Sequence, residues 1–425
     1  MEILNILGAI IVGFTAVILI VPSILRVAHL KKLFEPFESR KVHKALIPPL
    51  GGVAIFIGFL LSVSITTFGF DFEMTKYLLV SVLLMFFIGL KDDLVNIDAK
   101  KKLLVQVFAA AILIIMGDIR FTNLHGVLGI YNIGFAASFI ISLFAIVVIT
   151  NAINLIDGID GLAAGIVITA TGMLGTWFFF VEQYQLSIIS FALLGCLSAF
   201  FLYNVFGHTN KLFMGDSGSL VIGIILSTLV IRFNELNILP STALKINAAP
   251  AVSFAVLIVP LVDTLRVMLI RISQKKSPFS PDNNHIHHRL LKLFNNHLKV
   301  TLTLVFASVL FVGVSFLLNI AKVNVNAQLL ILILAATGSC FVPSLLLKRR
   351  LATAPENAPT MKDMVSINSD FIFAKSNFIT TKTTTTSVIN KQRSFAKEQV
   401  QKTSEPENSK AFFANRLYVI GNNGK

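Results

Sequence analysis

The stretch IGFAASFIISLFAIVVITNAINLIDGIDG, residues 133–161, passes without a break from an uncharged apolar run to two carboxylates. An apolar helix of roughly 20 residues crosses the hydrocarbon core of a bilayer, and residues 133–151 have that length. Carboxylates are costly inside a membrane and persist there mainly for function. Three more acidic motifs follow apolar runs: Lys91-Asp92-Asp93, Phe213-Met214-Gly215-Asp216 and, with histidines, Asp282 to His288.

The composition extends this pattern to most of the chain. Hydrophobic residues make up 55% and charged residues 14%, against roughly 25% charged in soluble domains. The expected fold is an all-α polytopic membrane protein of about eleven transmembrane helices. The spans are 3–25, 49–69, 75–90, 103–117, 133–151, 162–181, 186–204, 217–233, 248–270, 300–319 and 326–346. Residues 1–346 form the membrane domain. Residues 347–425 are rich in Ser, Thr, Asn and Lys and read as a polar, disordered cytoplasmic tail. Gly117 to Gly134 is expected to hold a small external turn or strand pair. Cys196 and Cys340 fall inside spans, without metal-site or disulfide spacing. The net charge of +14 is read as loop bias plus a basic tail, not as nucleic-acid binding.

Basic loops face the cytoplasm. Segment 26–48 carries Arg26, Lys31, Lys32, Arg40, Lys41 and Lys44; segment 91–102 carries four lysines; segment 271–299 carries six Lys or Arg. The intervening loops hold only scattered charges. The N-terminus is therefore expected outside and the C-terminus inside. Odd-numbered spans then run inward, and every polar motif emerges on the cytoplasmic face.

Each motif has an ordinary structural role to set against a chemical one. Asp92 and Asp93 cannot point the same way on a helix; one can face a substrate or metal while the other contacts a neighbour. Mg²⁺ or Lys102 could supply the cation they need. Asn151, Asn154, Asp157 and Asp160 recur every third residue, a helical stripe. One Asp-Gly alone would be only a capped turn; two, preceded by two Asn, favour function. Asp216 sits where a helix N-terminus favours anions, and could hold Mg²⁺ against a diphosphate while Phe213 stacks on a base. His285, His287 and His288, beside Arg289 and Asp282, favour phosphate binding over zinc. Asp263 and Arg266, at i and i+3, are expected to pair or to orient neighbours.

With these residues in hand, the chain resembles the polyprenyl-phosphate N-acetylhexosamine-1-phosphate transferases of glycosyltransferase family 4. The resemblance covers about residues 1–346. It rests on Arg40-Lys41-Val42-His43, Gly51-Gly52, Asp92-Asp93 with Lys102 and Gln106, Asn151 to Gly161, Phe213 to Ser219, Pro260 to Thr264 and Ser280 to His288. The His-Ile-His-His form is similar to the GlcNAc-1-phosphate branch rather than the phospho-MurNAc-pentapeptide translocase. One departure stands out: Gly207 to Lys211 replaces a common Pro-Pro-Ala.

The resemblance implies transfer of HexNAc-1-phosphate, GlcNAc-1-phosphate by default, from a UDP-N-acetylhexosamine to undecaprenyl phosphate, with release of UMP. It places the protein in the inner membrane at the first membrane step of cell-envelope glycan synthesis and leaves a homodimer open. Mg²⁺, with Mn²⁺ as the alternative, would sit on Asp216 and Asn154. Asp92, Asp93, Lys102, Asp157 and Asp160 are the implied catalytic group. Lys44, Asn151, Asn154, Phe213, Asp282, His285, His287, His288 and Arg289 are the implied substrate-binding group. Pentapeptide-translocase-like activity is the nearest alternative. A secondary transporter is a further one, disfavoured because such sites lie near the bilayer midplane.

Overall fold

A computed structural model describes residues 2–33, 47–67, 73–239, 244–275 and 285–352. Its elements run α1 (Glu2–Lys31), α2 (Gly51–Thr66), α3 (Glu73–Val95), α4 (Ala99–Ile115), β1 (Asn123–Val127), β2 (Ile130–Asn132), α5 (Phe135–Ile156), α6 (Leu162–Phe180) and α7 (Tyr184–Phe201). A π-helical turn, Leu202–Phe206, extends α7. Then come α8 (Gly215–Leu236), α9 (Ala249–Val256), α10 (Ile258–Ser273), α11 (Ile286–Phe294), α12 (His297–Ile320), α13 (Val325–Ser339) and α14 (Val342–Ala352). Met1–Arg349 forms one compact unit.

Seven described helices are long and apolar enough to cross a membrane, or eight if one bent pair counts as a single span. The protein is an all-α polytopic membrane protein. Helix α8 is its axis: every residue from Ser217 to Ile231 is buried, and α2, α3, α5 and α6 pack around it. Lipid-facing helices show the reverse pattern, with Leu19, Phe108, Phe144, Phe306 and Leu334 all exposed.

The bent pair departs from the single span expected over 248–270. Helices α9 and α10 meet at 77°. Pro260 has no N–H to offer the carbonyl of Val256, one turn back, and its ring crowds that position. The chain breaks at Leu257, which leaves the helical region at φ −105°, ψ 12°. Beyond the break α10 is two-faced: Asp263, Val267 and Arg271 are buried while Leu265, Leu269 and Ile272 are exposed.

The antiparallel pair β1–β2 fills the segment expected to hold a turn or strand pair. Its start is tied to the end of α8, where Glu235 accepts from Thr122 N at 2.7 Å and Thr122 Oγ1 at 2.6 Å. Both cysteines are buried and unpaired with each other. Helix α14 carries helical structure past 346; residues 353–425, most of the expected tail, lie outside the described residues.

Candidate active site

The site begins with a close approach of two helices. Gly89 of α3 lies against the start of α8, so close that a Cβ there would stand 2.6 Å from Asp216 O and Ser217 N. The contact brings Asp93, one turn further along α3, onto the first N–H groups of α8. Its carboxylate accepts from Asp216 N at 2.6 Å, Ser217 N at 3.0 Å and Ser217 Oγ at 2.6 Å. These N–H groups have no partner within the helix, and a carboxylate there also complements its dipole. Gly215, at φ +71°, turns the chain into the helix.

Asp92 points elsewhere, as adjacency on a helix requires. Its Oδ1 accepts from Ile97 N at 2.5 Å, and its Oδ2 from Lys102 Nζ at 3.2 Å. The same ammonium donates to Asp216 Oδ2. Asp216 Oδ1 accepts from Asn154 Nδ2 at 2.6 Å, and Asn154 also donates to Ser219 Oγ at 2.8 Å. One turn earlier, Asn151 and Gln106 exchange amide hydrogen bonds, the shorter at 2.8 Å, joining α5 to α4. Three acidic motifs separated by up to 124 residues thus converge on one end of α8.

The expected helical stripe stops early. Helix α5 ends at Ile156, with Asp157 as its C-cap. Asp157 keeps partial exposure, yet burial first, and then the charges of Asp216, Asp93 and Asp160, push its carboxyl well above the usual carboxylate range. Asp160 lies in the turn that follows and belongs to a second cluster. Its Oδ2 pairs with Lys211 Nζ at 2.6 Å, and its backbone N–H donates to His297 Nδ1 at 3.3 Å. Asn204 Oδ1 accepts from Gly161 N at 2.5 Å, and its Nδ2 donates to Leu212 O at 2.9 Å.

The histidines form a third group. Asp263 receives His285 Nδ1 at 3.0 Å, Ile286 N at 3.0 Å and Arg266 at 2.9 Å. The rings of His285 and His287 stack at 5.3 Å. Asp263, His285 and His287 offer three ligand-type atoms within 4.8 Å of one another. The bonds Asp263 already makes read as an anchor for the histidine segment rather than as a metal seat. Burial, chiefly, holds His287 down to about 3, so the ring is neutral. Its Nε2 would lie 3.3 Å from a Cβ at Gly158, so it packs on the Asp157-Gly158 turn. Arg289 donates to Ser344 at 2.7 Å, linking α11 to α14.

Lys44 and Asp282, with Arg40, Lys41 and His43, lie outside the described residues. Sequence reasoning missed His297, Thr301, Asn204 and the pairing of Lys211. A lone histidine opening a membrane helix carries no pattern of its own; the Gly207–Lys211 departure was the one available signal.

Comparison with known proteins falls on this same set of residues. The profile of glycosyl transferase family 4 matches residues 75–234, the segment that carries Asp92, Asn154 and Asp216. The chain is similar to a probable undecaprenyl-phosphate N-acetylglucosaminyl 1-phosphate transferase of Bacillus subtilis (strain 168), 32% identical over 69% of this chain and 79% of that protein. It is similar to the undecaprenyl-phosphate alpha-N-acetylglucosaminyl 1-phosphate transferase of Escherichia coli (strain K12), 28% identical over 63% and 71%. A decaprenyl-phosphate N-acetylglucosaminephosphotransferase of Mycobacterium tuberculosis is 34% identical over 62% and 70%.

Proposed function

The chain belongs to glycosyl transferase family 4, and on that footing we propose that it transfers N-acetylhexosamine 1-phosphate, by default GlcNAc 1-phosphate, from a UDP-sugar to undecaprenyl phosphate. The observation that carries this reading is the Asp92–Lys102–Asp216–Asn154 cluster at the N-terminus of α8. A helix N-terminus ringed by carboxylates, amide and ammonium suits a diphosphate and its counter-ion.

The residues fit a divalent cation. Asp216, Asp92 and, with its amide turned over, Asn154 are hard oxygen donors around a place where an ammonium balances two carboxylates. Mg²⁺, or Mn²⁺, bound there would neutralise charge on the transferring diphosphate. Phosphoryl transfer asks a protein mainly for in-line placement and electrostatics. Asp92 holds, or takes the proton from, the lipid phosphate. An oxygen of that phosphate attacks the β-phosphorus of the donor. The bond to the bridging oxygen breaks and UMP leaves, so the sugar remains on a lipid diphosphate. Lys102 returns its charge to the phosphates as they arrive. Asp93 keeps the α8 N-terminus in place, Asn151 fixes the α5 side, Phe213 meets the base, and Asp157 and Asp160 shape the donor end. His285, His287, His288 and Arg289 serve the phosphate or sugar.

Membrane placement completes the proposal. Helices α2, α3 and α4 coincide with the remaining expected spans, and with α9 and α10 taken as one broken span this supports eleven crossings; the basic loops argue for the N-terminus outside and this site at the cytoplasmic surface of the inner membrane. A soluble nucleotide sugar and a membrane lipid can then meet at one mouth, and the product feeds a cell-envelope glycan. Release of UMP from UDP-GlcNAc by purified protein with undecaprenyl phosphate tests the reading, with and without a chelator. No release with any UDP-HexNAc from folded protein refutes it.

A further inference from the structure

The loop from Gly207 to Met214 stands next to the donor end of the proposed site. Its C-terminal end is tied by the Asn204 side chain and by backbone. Asn204 bridges Gly161 and Leu212, while Phe213 N donates to Pro48 O at 3.1 Å and Phe213 O accepts from Gly51 N at 2.8 Å. Its middle is held by one side chain. Lys211 reaches across to Asp160, 2.6 Å away, and both side chains are largely buried, at 16% and 8% exposure. His297 Nδ1 accepts from Asp160 N at 3.3 Å, and the Asp160 carbonyl accepts from Thr301 Oγ1 at 2.8 Å. The α5–α6 turn, the loop before α8 and the start of α12 therefore meet on one residue, Asp160. The same ammonium lies 5.9 Å from the centroid of the Phe213 ring, within reach of a cation–π attraction.

We infer that Lys211 is a positioning residue for the nucleotide end of the donor, acting through Asp160 and Phe213; this rests on the proposed UDP-sugar reaction. Its charge is engaged by Asp160. It latches the loop and fixes the ring that stands three residues before Asp216. Loss of the latch leaves a buried carboxylate without its cation and frees the loop. Donor affinity falls, while the cluster that carries the chemistry keeps its geometry.

The test is steady-state kinetics of the purified full chain with UDP-GlcNAc and undecaprenyl phosphate. Lys211→Ala is expected to raise the donor KM about tenfold, the equivalent of about 1.4 kcal/mol. Its kcat and acceptor KM stay within about threefold, since a uniform binding loss leaves kcat unchanged. Lys211→Arg restores most of the donor affinity. An unchanged donor KM, a fall in kcat at constant KM, or failure of the Arg variant to rescue overturns the inference. If Lys211→Ala does not fold, Lys211→Met, an uncharged side chain of similar volume, is measured in its place against the same criteria. Wild-type protein that releases no UMP counts against the proposed reaction alone; binding of UDP to wild type and variant then decides the latch, with equal affinity overturning it.

Discussion

Replacing Gly89 by Ala probes the helix contact on which the whole site hangs. The added methyl carbon would stand 2.6 Å from Asp216 O and from Ser217 Cα and N, all backbone atoms. Ordinary contact begins near 3.4 Å, so α3 and the start of α8 must part by roughly 0.8 Å. Backbone cannot rotate aside as a side-chain tip can. Overpacking of this kind costs about 1–3 kcal/mol of stability. The functional cost is expected to be larger. The shift separates Asp93 from the N–H groups it holds and moves Asp216 relative to Asp92 and Lys102, and a displacement near 1 Å can cost about a hundredfold in rate. The assay is UMP release at saturating substrates, with thermal unfolding in detergent to confirm the fold. Gly313→Ala is the control, because no atom lies within 4 Å of a Cβ there, and it should leave both readouts unchanged. A folded Gly89→Ala protein within threefold of wild-type kcat would refute the idea that this approach sets the site.

Asp216→Asn and Asp92→Asn should each abolish UMP release without unfolding the bundle; full activity in both rejects their assigned roles. Asp263→Ala should destabilise the protein by about 3–5 kcal/mol, because it removes the buried acceptor that Arg266, His285 and Ile286 N share, and unfolding measurements check this. His287 gives a pH dependence of known sign. Its folded value near 3 lies below the unfolded value of about 6.5, so the unfolded chain takes up the proton first and stability falls as pH drops through that window. By pH 5.5 this amounts to about 1.4 kcal/mol, and His287→Gln should show a correspondingly shallower acid slope in unfolding midpoints. Equal slopes would contradict the neutral, buried ring.

The helices were legible because apolar runs of bilayer length leave little else to infer, and the acidic motifs because charge at the end of such a run is conspicuous. The split between Asp92 and Asp93 followed from helix geometry alone. The break of α9 from α10 was visible in Pro260, but a hydropathy window averages across a kink. The Asn151–Asp160 stripe was read as one helix because its period is helical; the two Asp-Gly steps end α5 at Ile156 instead. His297 and Gly89 could not be picked out. A single histidine at a helix start and a glycine in an apolar run have many ordinary reasons to be there. Their meaning comes from partners more than 120 residues away, Asp160 and the start of α8.

The central claim is that phosphate moves with the sugar. Donor carrying a radiolabel at its β-phosphorus, incubated with purified protein, undecaprenyl phosphate and Mg²⁺, tests it directly. The account predicts that the label enters the lipid fraction while unlabelled UMP is released. Sugar reaching the lipid with the label left behind in UDP would contradict it.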